Sequence, residues 1–126
     1  LPHLLLAVSR LQLHARVAVR SAADRSGALR GALAREAANL ARKGKPFRRL
    51  RSYRDWRFEE SPELAPAHSA AFWRELAEDL GRNGAGGGLD VGVAWTAEEA
   101  RSLSIGDVLG AFRDLAPVYK LLVNAR

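Results

Sequence analysis

LLLAVSRLQLHARVAVRSA, residues 4–22, is the most apolar stretch of the chain, and the way it folds sets what the rest must pack against. Leu4, Val8 and Leu11 recur at helical spacing and are joined by Leu5, Leu6, Leu13, Val17 and Val19, so the pattern predicts a largely apolar helix over 4–22. Its longest apolar run, Leu4 to Val8, stops at Ser9 and Arg10. That is far short of the roughly 20 residues a membrane-spanning helix needs.

After a break at Asp24 to Gly27, Leu29, Leu33, Ala37 and Leu40 predict an amphipathic helix to about Lys43. Gly44 and Pro46 follow as stop signals. The two helices are expected to form an N-terminal hairpin, and one long helix bent near Gly27 is the competing arrangement. Residues 45–58, KPFRRLRSYRDWRF, show no sustained period and are expected to run extended along a surface.

Ser61-Pro62 and Pro66 to Ser69 both resemble helix starts, and Phe72, Trp73, Leu76 and Leu80 predict a helix over 67–80. Residues 82–88, RNGAGGG, predict a flexible connection. Leu89, Val91, Val93 and Trp95 then alternate with Asp90, Gly92 and Ala94, the two-residue period of a short strand. Standing alone, that strand needs a partner. Thr96 with Glu99, and Ser104 with Asp107, match capping boxes, and Ile105, Val108, Leu109, Phe112 and Leu115 line one helix face as far as Pro117, which is expected to kink or end the helix. The expected fold is mainly α: four to five helices, an extended basic arm, and at most one short strand.

Of 126 residues, 20 are Lys or Arg and 14 are Asp or Glu, and the two signs are segregated along the chain. Residues 1–57 hold 14 basic and 3 acidic groups, whereas residues 58–126 hold 6 and 11. This divides the chain into a basic helical region with its arm, 1–57, and an acidic helical region, 58–126. The basic part is rich in Arg, Ala, Leu and Ser, the composition of an organelle transit sequence, and the chain lacks Met throughout. A trimmed product on the matrix side of the mitochondrion, associated with the inner membrane, is the expectation.

The chemical inventory is thin. The absence of Cys removes thiol catalysis, Cys-based zinc sites and disulfides. His3, His14 and His68 are scattered, without metal-ligand spacing, and His14 is expected on a helix surface. Glu59, Glu60 and Glu63, and likewise Glu75, Glu78 and Asp79, read as solvated acidic faces. Gly81 to Asp90 lacks the GK[ST] ending of a phosphate loop. Upstream, Arg10, Arg16, Arg20, Arg25, Arg30 and Arg35 would spread around a helix instead of lining one side. No catalytic residue, metal ligand or cofactor is therefore assigned.

One segment has the composition of a binding surface. Arg42, Lys43, Lys45, Arg48, Arg49, Arg51, Arg54 and Arg57 are interleaved with Phe47, Tyr53, Trp56 and Phe58. Guanidinium groups pair bidentately with carboxylates and phosphates, and rings stack on bases or anchor in a partner. The expected partner is the surface of other protein subunits, with rRNA and anionic lipid headgroups as alternatives. The functional expectation is a non-catalytic accessory subunit of a large organellar assembly, a mitochondrial respiratory-chain complex foremost. A mitochondrial ribosomal protein binding rRNA is the second possibility, and a small enzyme with a site assembled from scattered residues the third.

Overall fold

The computed structural model describes residues 2–8, 12–20, 24, 26–43, 50–52, 63–64, 67–81 and 88–125, with the backbone alone described at 7, 20, 50–52 and 63–64. Strands β1 (His3–Val8) and β2 (Gln12–Arg20) come first, followed by helices α1 (Ala28–Arg35) and α2 (Ala37–Arg42). Short strands β3 (Leu50–Ser52) and β4 (Glu63–Leu64) lead to helix α3 (Ala70–Gly81), strand β5 (Gly88–Thr96), and helices α4 (Ala97–Arg101) and α5 (Ile105–Asn124). The strands form one sheet in the order β1-β2-β5-β3-β4, and every pairing is antiparallel.

The fold is thus α+β. This overturns the mainly α expectation with at most one short strand: the first helix of the expected N-terminal helical hairpin, over 4–22, is instead the β1–β2 pair, while the second is present as α1 and α2. The reason lies in β2. Leu13, Ala15, Val17 and Val19 point to one side of the sheet and His14, Arg16 and Ala18 to the other, a period of two that satisfies a strand and not a helix. The near-continuous apolar run in β1 carries no period, so the helical spacing of Leu4, Val8 and Leu11 was coincidental. The strand over 89–95 is present as β5, and it is no orphan: β2 flanks it on one side and β3 on the other.

Register fixes two faces. Leu13, Ala15, Val17 and Val19 stand opposite Trp95, Val93, Val91 and Leu89, and these side chains meet the helices. Leu29 and Leu33 of α1, Leu40 of α2, Trp73, Leu76 and Leu80 of α3, and Leu115, Val118 and Leu122 of α5 complete the core. Burying each such side chain contributes about 1.5–3 kcal/mol relative to leaving it in water. Trp73 is fully buried, donates its indole N–H to the Ala67 carbonyl at 2.9 Å, and meets Phe72 edge-on at 5.2 Å between ring centroids.

The helix ends follow local chemistry. Both capping boxes form: Thr96 and Glu99 exchange side-chain to backbone hydrogen bonds at α4, and Ser104 and Asp107 do so at α5. At α1, Gly27 is the N-cap with φ of 76°, and the buried Asp24 carboxylate accepts from the amides of Leu29 at 2.9 Å and Arg30 at 3.1 Å. The expected helix over 67–80 is α3, which begins three residues later, and Pro117 sits inside α5 without ending it. The helix predicted to Lys43 divides at Glu36 into α1 and α2. Glu63–Leu64 is strand, whereas the expected helix start at Ser61 and Pro62, the stop signals at Gly44 and Pro46 and the connection over 82–87 fall outside the described residues.

Candidate functional site

The basic segment is described in part. Arg42 ends α2 and Lys43 caps it, both exposed, and Asn39 Oδ1 accepts a hydrogen bond from Arg42. Arg51 belongs to β3, opposite Gly92 of β5 and Leu64 of β4, so the sheet holds the middle of this segment. Lys45, Phe47, Arg48, Arg49, Tyr53, Arg54, Trp56, Arg57 and Phe58 lie outside the described residues.

Lys43 also borders a groove of about 440 Å³ between α2 and α5. Arg113 and Lys120 line it from α5, with Asn39 and Glu36 on the α2 side and an aliphatic floor of Leu40, Ala116, Pro117 and Leu121. Three cations face one carboxylate. That carboxylate, Glu36, accepts a hydrogen bond from Asn39 Nδ2 at 2.6 Å.

A second cleft, about 740 Å³, has the opposite sign. It lies where β5 meets α4 and α5, and Glu98, Glu99, Asp107 and Asp114 line it together with Trp95. Glu99 and Asp107 are engaged in the capping boxes. Burial raises the Asp114 carboxyl above the ordinary range, against the pull of neighbouring Arg113.

On the sheet face turned away from the helices, Arg16 Nη1 donates to Asp90 Oδ2 at 2.8 Å, an ion pair with both side chains buried. Burial pushes the Asp90 carboxyl up to about 7, opposed by the Arg16 charge. His14 is also buried, and its imidazole is lowered below its ordinary value by burial and then by Arg16. His14 is therefore a strand residue and not the helix-surface residue expected; Arg16 and Arg20 likewise stand on β2, while Arg30 and Arg35 stand on α1. Sequence reasoning missed the pairing of Arg16 with Asp90 because 74 positions separate them. The available signal was an acid at an alternate position of the strand over 89–95.

The third exposed feature is β1, the outer strand of the sheet. Its register places Leu4, Leu6 and Val8 on the helix side, opposite Val17, Ala15 and Leu13. They are nevertheless 38, 50 and 78% exposed, because α5 packs chiefly over β2 and reaches β1 less. Among the described residues no three or more His, Asp or Glu side chains gather to hold a metal ion, and no helix is long and apolar enough to cross a membrane. No protein-family model matches the chain, and no curated protein matches it.

Proposed function

We propose that the chain is a non-catalytic accessory subunit of a multi-subunit organellar assembly, in the first place a mitochondrial respiratory-chain complex on its matrix side, and that it docks on acidic protein through the basic segment 42–58. The observation that carries this is β1: an uncharged edge strand, HLLLAV, that leaves Leu4, Leu6 and Val8 in solvent. Soluble chains blunt such edges with charges or bulges, and contiguous apolar exposure of this kind marks a surface covered by another protein. An RNA partner would have no use for it.

The non-catalytic part of the proposal rests on where the perturbed groups sit. Asp90, with the most displaced carboxyl, lines neither of the clefts described above and is engaged by Arg16. Asp114, also raised, does line the acidic cleft but stands there among other carboxylates, with no His, Lys or Arg lining it among the described residues. A working acid or base has to reach substrate.

The test is to tag the chain, isolate the native particle from organelles under mild detergent and identify what travels with it. Co-migration with respiratory-complex subunits supports the proposal. Co-sedimentation with ribosomal subunits, together with salt-sensitive RNA binding by the isolated chain, would replace it with the rRNA alternative.

A further inference from the structure

We infer that the groove between α2 and α5 is a binding site for a short acidic peptide segment of a partner protein. This rests on the proposal that the basic segment docks on acidic protein, and extends it to a defined site on the folded body.

The charge pattern is the first ground. Arg113 and Lys120 are seven residues apart on α5, two turns, so they share a face roughly 10 Å apart along the axis. Lys43 closes the triangle from the end of α2. All three are exposed, and among the described residues no ion pair ties any of them to a carboxylate. Two or three carboxylates spaced along an extended peptide match that triangle.

The second ground is the backbone chemistry of α5. Pro117 has no N–H to give to the carbonyl of Arg113, four residues earlier, yet the helix continues through it. Arg113 and Pro117 both line the groove, and Asn124 adds a side-chain amide to it, whereas the amide of Asn39 is taken up by Glu36 and Arg42. A peptide offers a C=O to the Asn124 amide N–H and an N–H to its Oδ1, whereas a phosphodiester backbone has no N–H to offer. The floor discriminates in the same direction. Leu40, Pro117 and Leu121 suit an aliphatic side chain, and among the described residues no aromatic ring lines the groove on which a base could stack.

Position is the third ground. Lys43 belongs both to the groove and to the start of the basic segment, so one acidic partner can occupy the two together. The volume is within the range of sites that hold a compact ligand.

The experiment uses the full chain, isotope-labelled, titrated at low salt with the fluorescein-tagged peptide Asp-Leu-Glu-Asp-Leu-Glu and, separately, with hexauridylate. The expected result is amide shifts confined to residues 39–43 and 113–124, with affinity weakened about tenfold or more in the Arg113→Glu, Lys120→Glu double variant. Both positions are exposed, and an unchanged circular dichroism spectrum verifies the variant's fold. Unchanged affinity in that variant would overturn the site. So would shifts confined to residues 45–58, an outcome that leaves docking by the basic segment standing. Tighter binding of hexauridylate at the same amides would overturn the peptide assignment in favour of nucleic acid.

Discussion

Gly92 stands directly opposite Arg16 in the β2–β5 ladder, and a methyl group in place of its hydrogen would lie 2.5 Å from Arg16 Cβ and closer still to the Ala15 carbonyl oxygen. The absent side chain is what lets the Arg16 backbone and side chain come this near and turn diagonally toward Asp90, which is paired with Ala18 two positions along. Gly92→Ala is therefore expected to destabilise by about 1–3 kcal/mol, the cost of overpacking in a closed core. Urea unfolding followed by tryptophan fluorescence measures it, and a shift in midpoint with unchanged slope is the expected form.

The ion pair itself predicts an asymmetry. Asp90→Ala strands a buried guanidinium and is expected to cost about 3–5 kcal/mol, while Arg16→Met combined with Asp90→Leu removes both charges and is expected to recover most of that loss. The comparison is a double-mutant cycle by chemical denaturation. Equal destabilisation in the single and double variants would mean that shape, and not the unpaired charge, sets the cost.

Asp90 and His14 pull the pH dependence in opposite directions. With its folded carboxyl raised from 3.8 to about 7, Asp90 keeps in the folded state a proton that the unfolded chain releases, so its contribution is full near pH 4 and fades as pH rises toward 7. His14, lowered in the fold, contributes stability above its unfolded value of 6.5 that is lost as pH falls through that value toward the folded one. The stability difference between the wild-type chain and Asp90→Asn should accordingly shrink from pH 4.5 to pH 7.5. A difference that grows over that range would mean that the Arg16 charge outweighs burial.

How much of this was legible in the sequence depended on how far apart the interacting residues stand. The capping boxes at Thr96 and Ser104, the apolar face of α3 and the alternation in β5 all rest on residues within a few positions of one another, and each was recoverable. In β2 the same alternation was present, but Ala18 blurred the polar side and no Asn-Gly or Asp-Gly turn lay between Val8 and Gln12 to announce a hairpin. Helical spacing from Leu4 to Leu11 then carried the stretch the wrong way. The Arg16–Asp90 pair and the α2/α5 groove join residues brought together only by tertiary packing, and no spacing rule reports them. Of the cationic and aromatic residues of the basic segment, Arg42, Lys43 and Arg51 alone fall among the described residues, so its composition remains the ground on which its role is proposed.

Asp24 offers a local test of the N-terminal helices. Its carboxylate accepts from two α1 amides that would otherwise be unsatisfied, and Asp24→Ala should cost about 1 kcal/mol, with Asp24→Asn retaining part of it. Hydrogen exchange at Leu29 and Arg30 should quicken first.

The β1 edge predicts a separation between stability and assembly. Val8→Lys and Leu6→Lys place charges where 78 and 50% of the side chain is already exposed, so the isolated chain should change in stability by less than about 0.5 kcal/mol. Incorporation into the native particle should fall sharply. Loss of fold in the isolated variants would instead mean that this stripe belongs to the chain's own core.

The most direct measurement replaces Arg48, Arg49, Arg54 and Arg57 with Ala, leaving Arg51 in its strand, and compares the mass at which tagged wild-type and variant chains migrate in native organelle extracts. The proposal predicts that the wild-type chain runs with a large protein particle and that the variant, folded by circular dichroism, runs as a free chain. A variant that stays in the particle undiminished, or a wild-type chain that runs free, would contradict it.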